Sequence, residues 1–101
     1  MKLETLMEIK KTPGMYLGIC SLDRLNAFID GYNTCLHEFG ADTNWKFFDD
    51  FYIFVRDKYK VLKSLNTYNI VDSMYEDKRE AFEKYFELLD EFLELKNTSG
   101  E

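Results

Sequence analysis

Residues 76–94 read EDKREAFEKYFELLDEFLE, and the spacing of their rings and aliphatic chains decides the fold class. Phe82, Tyr85, Phe86, Leu89, Phe92 and Leu93 recur at intervals of three and four. At about 100° per residue they fall within roughly 120° of a helical wheel, the arc of an amphipathic helix lying on a core. Asp77 stands in N-cap position with Glu80 three residues on, the pattern of a capping box. Glu76, Glu80, Glu83, Glu87, Glu91 and Glu94 project opposite the apolar arc, with Lys84 the one base among them. A helix with one sealed face and one acidic face is predicted.

Upstream segments repeat the helical period. Leu3, Leu6 and Met7 fit a short helix over Lys2 to Lys10, ended by Thr12-Pro13-Gly14, where the residue before proline leaves the helical region and Gly14 is free to take a positive φ. Met15 to Gly18 then reads as a loop that aims Met15 and Tyr16 into the core. Ser21 is a good N-cap with Asp23 in the first turn. The stripe Leu22, Leu25, Phe28, Ile29, Tyr32, Leu36 and Phe39 follows it, closed by Gly40 as a C-cap. Gly31, inside that stripe, is expected to permit a close helix crossing.

From Trp45 to Leu62 the residues Phe48, Phe51, Tyr52, Val55, Tyr59 and Leu62 lie on one stripe, and Trp45, Phe47, Ile53 and Phe54 lie off it. Two contacting faces would make this the central helix. A strand from Phe51 to Val55 is the alternative, because aromatic and β-branched residues gather there. Tyr68, Val71, Met74 and Tyr75 match a short helix, and residues 97–101 form a polar tail expected to fray.

A chain of 101 residues has room for one domain. Nine Phe and seven Tyr supply rings for its core, while one Pro and five Gly are too few for the many tight turns of a sandwich or barrel. The expected fold class is all-α, a single-domain bundle of four to five helices around an aromatic-rich core, spanning residues 1–101.

The net charge of −6 is unevenly placed. Residues 76–101 hold nine acids against four bases, whereas residues 1–75 are nearly balanced, with ten against nine. Like charges at i and i+4 cost a helix a few tenths of a kcal/mol per pair, roughly, so stability alone would alternate the signs. A basic footprint for phosphate backbones is missing, which argues against direct nucleic-acid binding and makes a basic protein the electrostatic complement. The opening MKLETLMEIKK carries acids where a signal peptide needs an apolar run, and no stretch of about 20 apolar residues exists to enter a membrane. The chain is expected in the cytoplasm.

No residue pattern calls for catalysis, a metal or a cofactor. Cys20 and Cys35 have neither CxxC spacing nor a second pair, and are read as free buried thiols. His37 is the sole histidine and suits the negative end of a helix dipole. Asp49-Asp50 and Asp90-Glu91 are adjacent on helices, so their carboxylates diverge by about 100° instead of meeting on one substrate atom. Pro13-Gly14-Met15-Tyr16-Leu17-Gly18 is similar to a stretch in the ATPase domain of type II topoisomerases, but over six residues and without the glycine-rich lid such a domain needs.

Lys10-Lys11-Thr12-Pro13-Gly14-Met15-Tyr16-Leu17-Gly18, Ser21-Leu22, Ala27-Phe28-Ile29-Asp30-Gly31-Tyr32, Ala81-Phe82 and Phe86-Glu87-Leu88-Leu89-Asp90-Glu91-Phe92 together resemble small bacterial immunity proteins of polymorphic toxin and contact-dependent growth inhibition systems. The resemblance implies an antitoxin that plugs a cognate toxin, frequently a basic nuclease, inside the producing cell. The partner-binding residues expected on that reading are Glu76, Glu80, Glu83, Glu87, Glu91 and Glu94, with Asp49 and Asp50 joining them. The alternative is a regulatory or adaptor module that binds through exposed aromatics such as Trp45 and Phe47, or self-associates. A homo-oligomer is compatible with the sequence without being indicated by it.

Overall fold

The computed structural model describes residues 1–63 and 65–99, and all regular structure among them is helical. In chain order the elements are α1 (Leu3–Lys11), α2 (Pro13–Leu17), α3 (Leu22–Glu38), α4 (Trp45–Lys58), α5 (Thr67–Asp72) and α6 (Lys78–Ser99). Among the described residues no helix is long and apolar enough to cross a membrane.

α2 coils where the sequence predicts a loop. Thr12, at φ −134°, breaks away from α1, and Pro13 takes the first helical position, where a missing N–H is harmless. Gly18 ends α2 at φ +83°, its N–H donating to the Gly14 carbonyl at 3.0 Å. The left-handed residue is therefore Gly18, while Gly14 is helical. A Cβ on Gly18 would also lie 2.7 Å from Nη1 of Arg24, whose guanidinium donates to the Leu17 carbonyl at 2.8 Å. So short a helix buries only Leu17, and Met15, 84% exposed, and Tyr16 face solvent instead of the core.

Ser21 caps α3 as expected, its Oγ accepting from the Arg24 N–H at 3.4 Å. Leu22, Leu25 and Ile29 are buried, but Phe39 is 82% exposed, because the helix stops at Glu38 and the chain turns through Gly40 at φ +70°. Gly31 has open space around it and makes no close crossing. Two positions on, Asn33 is fully buried: its Oδ1 accepts from the Met1 ammonium, which also donates to the Thr43 carbonyl at 2.8 Å. Burial lowers the pKa of that ammonium, against the pull of Asp42.

α4 starts after Asn44, which sits in the left-handed region at φ 61° with its N–H on Asp42 Oδ1 at 3.1 Å. Asn is one of the few residues besides Gly that visits this conformation, and here its Nδ2 donates to the Met1 carbonyl at 3.5 Å. Phe51 to Val55 are helical, so the strand alternative is excluded. The helix ends at Lys58 and Lys60 turns the chain at φ 53°, which leaves Leu62 in solvent, contrary to its place on the predicted stripe.

The central helix is α6, a place that the sequence reading gives to α4. α3, α4 and α5 all pack on it. Asp77 caps it, Oδ1 accepting from the N–H groups of Arg79 at 2.8 Å and Glu80 at 3.4 Å. Ala81 and Leu88 are buried together with Phe82, Tyr85, Phe86, Leu89 and Phe92. The sealed arc is thereby widened to roughly 160° at about 100° per residue. Asn97 to Ser99 continue the helix, where a frayed tail is predicted; residues 100 and 101 lie outside the described ones.

Rings join α4 to α6. Phe92 stands with its centroid 5.6 Å from Phe47, 5.5 Å from Phe51 and 5.4 Å from Phe54. Phe51 meets Tyr85 edge-on at 5.4 Å. Removing a buried phenyl costs about 3–5 kcal/mol, whereas trimming a solvent-exposed one changes stability by less than about 0.5 kcal/mol. Phe51→Ala is accordingly expected to lower the urea midpoint sharply and Phe39→Ala to leave it unchanged; equal effects would mean that the rings of α4 are not in the core.

Candidate protein-binding surface

The outer face of α6 presents Glu80, Glu83, Glu87 and Glu94 to solvent, with Glu91 half-buried. Glu76 is excluded from this register, since the Asp77 cap begins the helix after it. Neighbouring helices supply bases to the edges of the stripe. Lys58 of α4 binds Glu91 at 2.8 Å, and this hydrogen bond holds the Lys58 ammonium above its ordinary pKa. Lys10 of α1 approaches Asp90 at 3.6 Å, and Lys84 lies 3.9 Å from Glu87. Glu80, Glu83 and Glu94 make no ion pair among the described residues. Glu80 belongs to the first turn, where the helix dipole stabilises negative charge and offsets part of its repulsion with its neighbours.

Beside this stripe a shallow hollow is lined by Lys10, Lys11, Cys20, Arg79, Glu83 and Asp90, among others. Burial pushes the Cys20 thiol up; Arg79 pulls it back, and Glu83 and Asp77 add to the rise. The thiol is therefore held in its unreactive protonated form near neutral pH. Cys35 is exposed, against the expectation that both cysteines are buried. Among the described residues no three His, Cys, Asp or Glu side chains are grouped so that they could hold a metal ion.

Asp49 and Asp50 do not join the α6 stripe. Asp50 is paired with Lys46, four residues back, at 3.0 Å. Asp49 lines a groove of about 420 Å³ between α3, α4 and the start of α5 with the residues before it, and Tyr85 of α6 also lines it. Its walls include Asp30, Trp45, Phe48, Tyr52 and Tyr68. Of the two aromatics expected at the surface, Trp45 is 40% exposed at this groove. Phe47 is half-buried, edge-on to Phe48 at 5.4 Å and covered by the Lys96 ammonium 5.5 Å from its centroid.

Asp30 and Tyr85, which line the groove with Asp49, and Lys58 and Lys10, which pair with the borders of α6, are functional neighbours that the sequence reading does not bring together. Asp30 follows the buried Ile29, so the wheel sets it at the border of the α3 core face, a signal that exists but is weak. Pairings between helices leave no periodic signal at all. No protein-family model matches this chain, and no curated protein and no solved structure matches it significantly.

Tyr85 is 5% exposed, and burial pushes its phenol well above the ordinary tyrosine range. The unfolded chain releases this proton near pH 10, roughly, while the folded chain retains it. Stability from Tyr85 is thus complete below about pH 10 and falls as pH rises further. Because no hydrogen bond anchors the hydroxyl among the described residues, Tyr85→Phe is expected to change stability at pH 7 by less than about 0.5 kcal/mol. It should flatten the alkaline decline measured by urea titration between about pH 9 and 11; an unchanged decline would show that Tyr85 ionises freely in the fold.

Proposed function

We propose that the protein is a non-catalytic cytoplasmic antitoxin, an immunity protein that binds a basic toxin domain of nuclease type and occludes its active cleft with the outer face of α6. The observation that carries this reading is the charge division of one helix: Glu80, Glu83, Glu87, Glu91 and Glu94 on one side, the sealed aromatic arc on the other. A nuclease cleft is built to hold phosphates along a strand, and carboxylates repeated along a rigid helix offer it a similar sequence of negative charges. Such a stripe accelerates encounter with a basic surface, an effect weakened by salt over a Debye length of about 8–10 Å. The edge pairs of Glu87 and Glu91 are solvent-accessible and weak, so a partner's Arg or Lys can replace Lys84 or Lys58 at little cost.

Affinity capture from the producing cell, followed by co-expression of whatever is retained, tests this directly. A basic protein whose toxicity is relieved by co-expression is the expected result. Replacing Glu80, Glu83, Glu87 and Glu91 by Lys should then slow association on the order of tenfold or more at low salt and flatten its salt dependence. Undiminished protection by that variant would exclude the α6 face as the toxin-binding surface.

A further inference from the structure

The groove between α3 and α4 lies apart from the acidic stripe of α6 and has a chemistry of its own. Its walls bring Trp45, Phe48, Tyr52 and Tyr68 together with Asp30 and Asp49, and among the described residues no Lys or Arg lines it. Neither aspartate is in an ion pair among the described residues. Asp30 Oδ2 accepts one long contact, 3.4 Å, from Asn26 Nδ2. Tyr85, 5% exposed, lines it as well, and its hydroxyl, which forms no hydrogen bond among the described residues and is not sealed off, opens on the groove. Two uncompensated carboxylates, several π faces and an unused hydroxyl acceptor are the complement of a flat, charged group with many N–H donors.

We propose that this groove receives an arginine side chain presented by a protein partner. A guanidinium stacks on ring faces and donates to carboxylates at the same time, which an ammonium does less well because it is compact and strongly hydrated. Its forked N–H groups can reach a carboxylate in pairs, and the Tyr85 oxygen is available to a further donor. A volume of about 420 Å³ exceeds one side chain, so the flanking backbone of an extended segment enters with it. The site does not depend on the stripe of α6: either surface can fail as a contact while the other stands.

Trp45 is the only tryptophan in the chain and stands at the groove, which makes its fluorescence a direct reporter. The probes are the blocked tripeptides Gly-Arg-Gly, Gly-Lys-Gly and Gly-citrulline-Gly, titrated against the whole protein. The arginine peptide is expected to give a saturable change with a dissociation constant on the order of 1 mM, as suits one anchored side chain. The citrulline peptide, isosteric but neutral, should bind at least about tenfold more weakly, and the lysine peptide at least about threefold. Asp30→Asn with Asp49→Asn should weaken arginine binding roughly fivefold or more, while Glu83→Gln with Glu87→Gln on α6 should leave it unchanged. Both aspartates are exposed, so folding is retained, and far-UV circular dichroism verifies it. The proposal is overturned if the arginine peptide gives no saturable signal, if citrulline or lysine binds as tightly, or if the Asp30/Asp49 variant binds as the parent does.

Discussion

Phe92 holds the fold together. Its ring meets Phe47, Phe51 and Phe54, three residues on two adjacent turns of α4, and through Phe51 this contact reaches Tyr85 one layer away. Aromatic pairs at such distances contribute roughly 0.5–1.5 kcal/mol each beyond the area they bury, and here one ring makes three of them. The constraint fixes which side of α6 faces inward. Once Phe92 is seated, the helical period carries Phe82, Tyr85, Leu88 and Leu89 into the same core and turns Glu80, Glu83, Glu87 and Glu94 outward. The acidic face is thus a geometric consequence of the aromatic one.

Electrostatics then divides the surface. Lys58 and Lys10 reach from α4 and α1 to Glu91 and Asp90 at the borders of α6, while Glu80, Glu83 and Glu94 make no ion pair among the described residues. On the far side, Asp30 and Asp49 share a ring-lined groove with no base among its described walls. Two acidic surfaces of different character result: a convex stripe suited to long-range attraction, and a concave slot suited to gripping one group. The basic protein partner proposed above would satisfy both by the same charge rule, through unlike contacts.

The legible parts of the fold are those governed by local periodicity. The 3.6-residue period of residues 80–94, the caps at Ser21 and Asp77, and the closing turn at Gly40 follow from residues near one another in the chain, and each stands where the sequence places it. Illegible parts depend on which helix meets which. Met15 and Tyr16 are apolar and were expected inside, but a five-residue helix has one inward position and Leu17 occupies it. Gly31 marks no crossing, because α3 turns that side to solvent. Asn33 lies within about 20° of Leu22 on the wheel, but the partner that its amide meets there, the chain start 32 residues away, leaves no local signal. Of the candidate site, the stripe from Glu80 to Glu94 is readable, and so is the exclusion of Glu76, since the Asp77 cap visible in the sequence starts the helix after it. The groove was unreadable as a unit: its residues come from α3, α4, the start of α5 with the residues before it, and α6.

The central claim is that α6 faces the partner with the side that Phe92 forces outward. Nitrogen-15 chemical-shift mapping with the captured partner domain tests it most directly. Perturbations concentrated at Glu80, Glu83, Glu87 and Glu94 and their immediate neighbours are expected. Perturbations confined to the exposed apolar side chains Met15, Tyr16 and Ile19, with the α6 resonances unmoved, would contradict it.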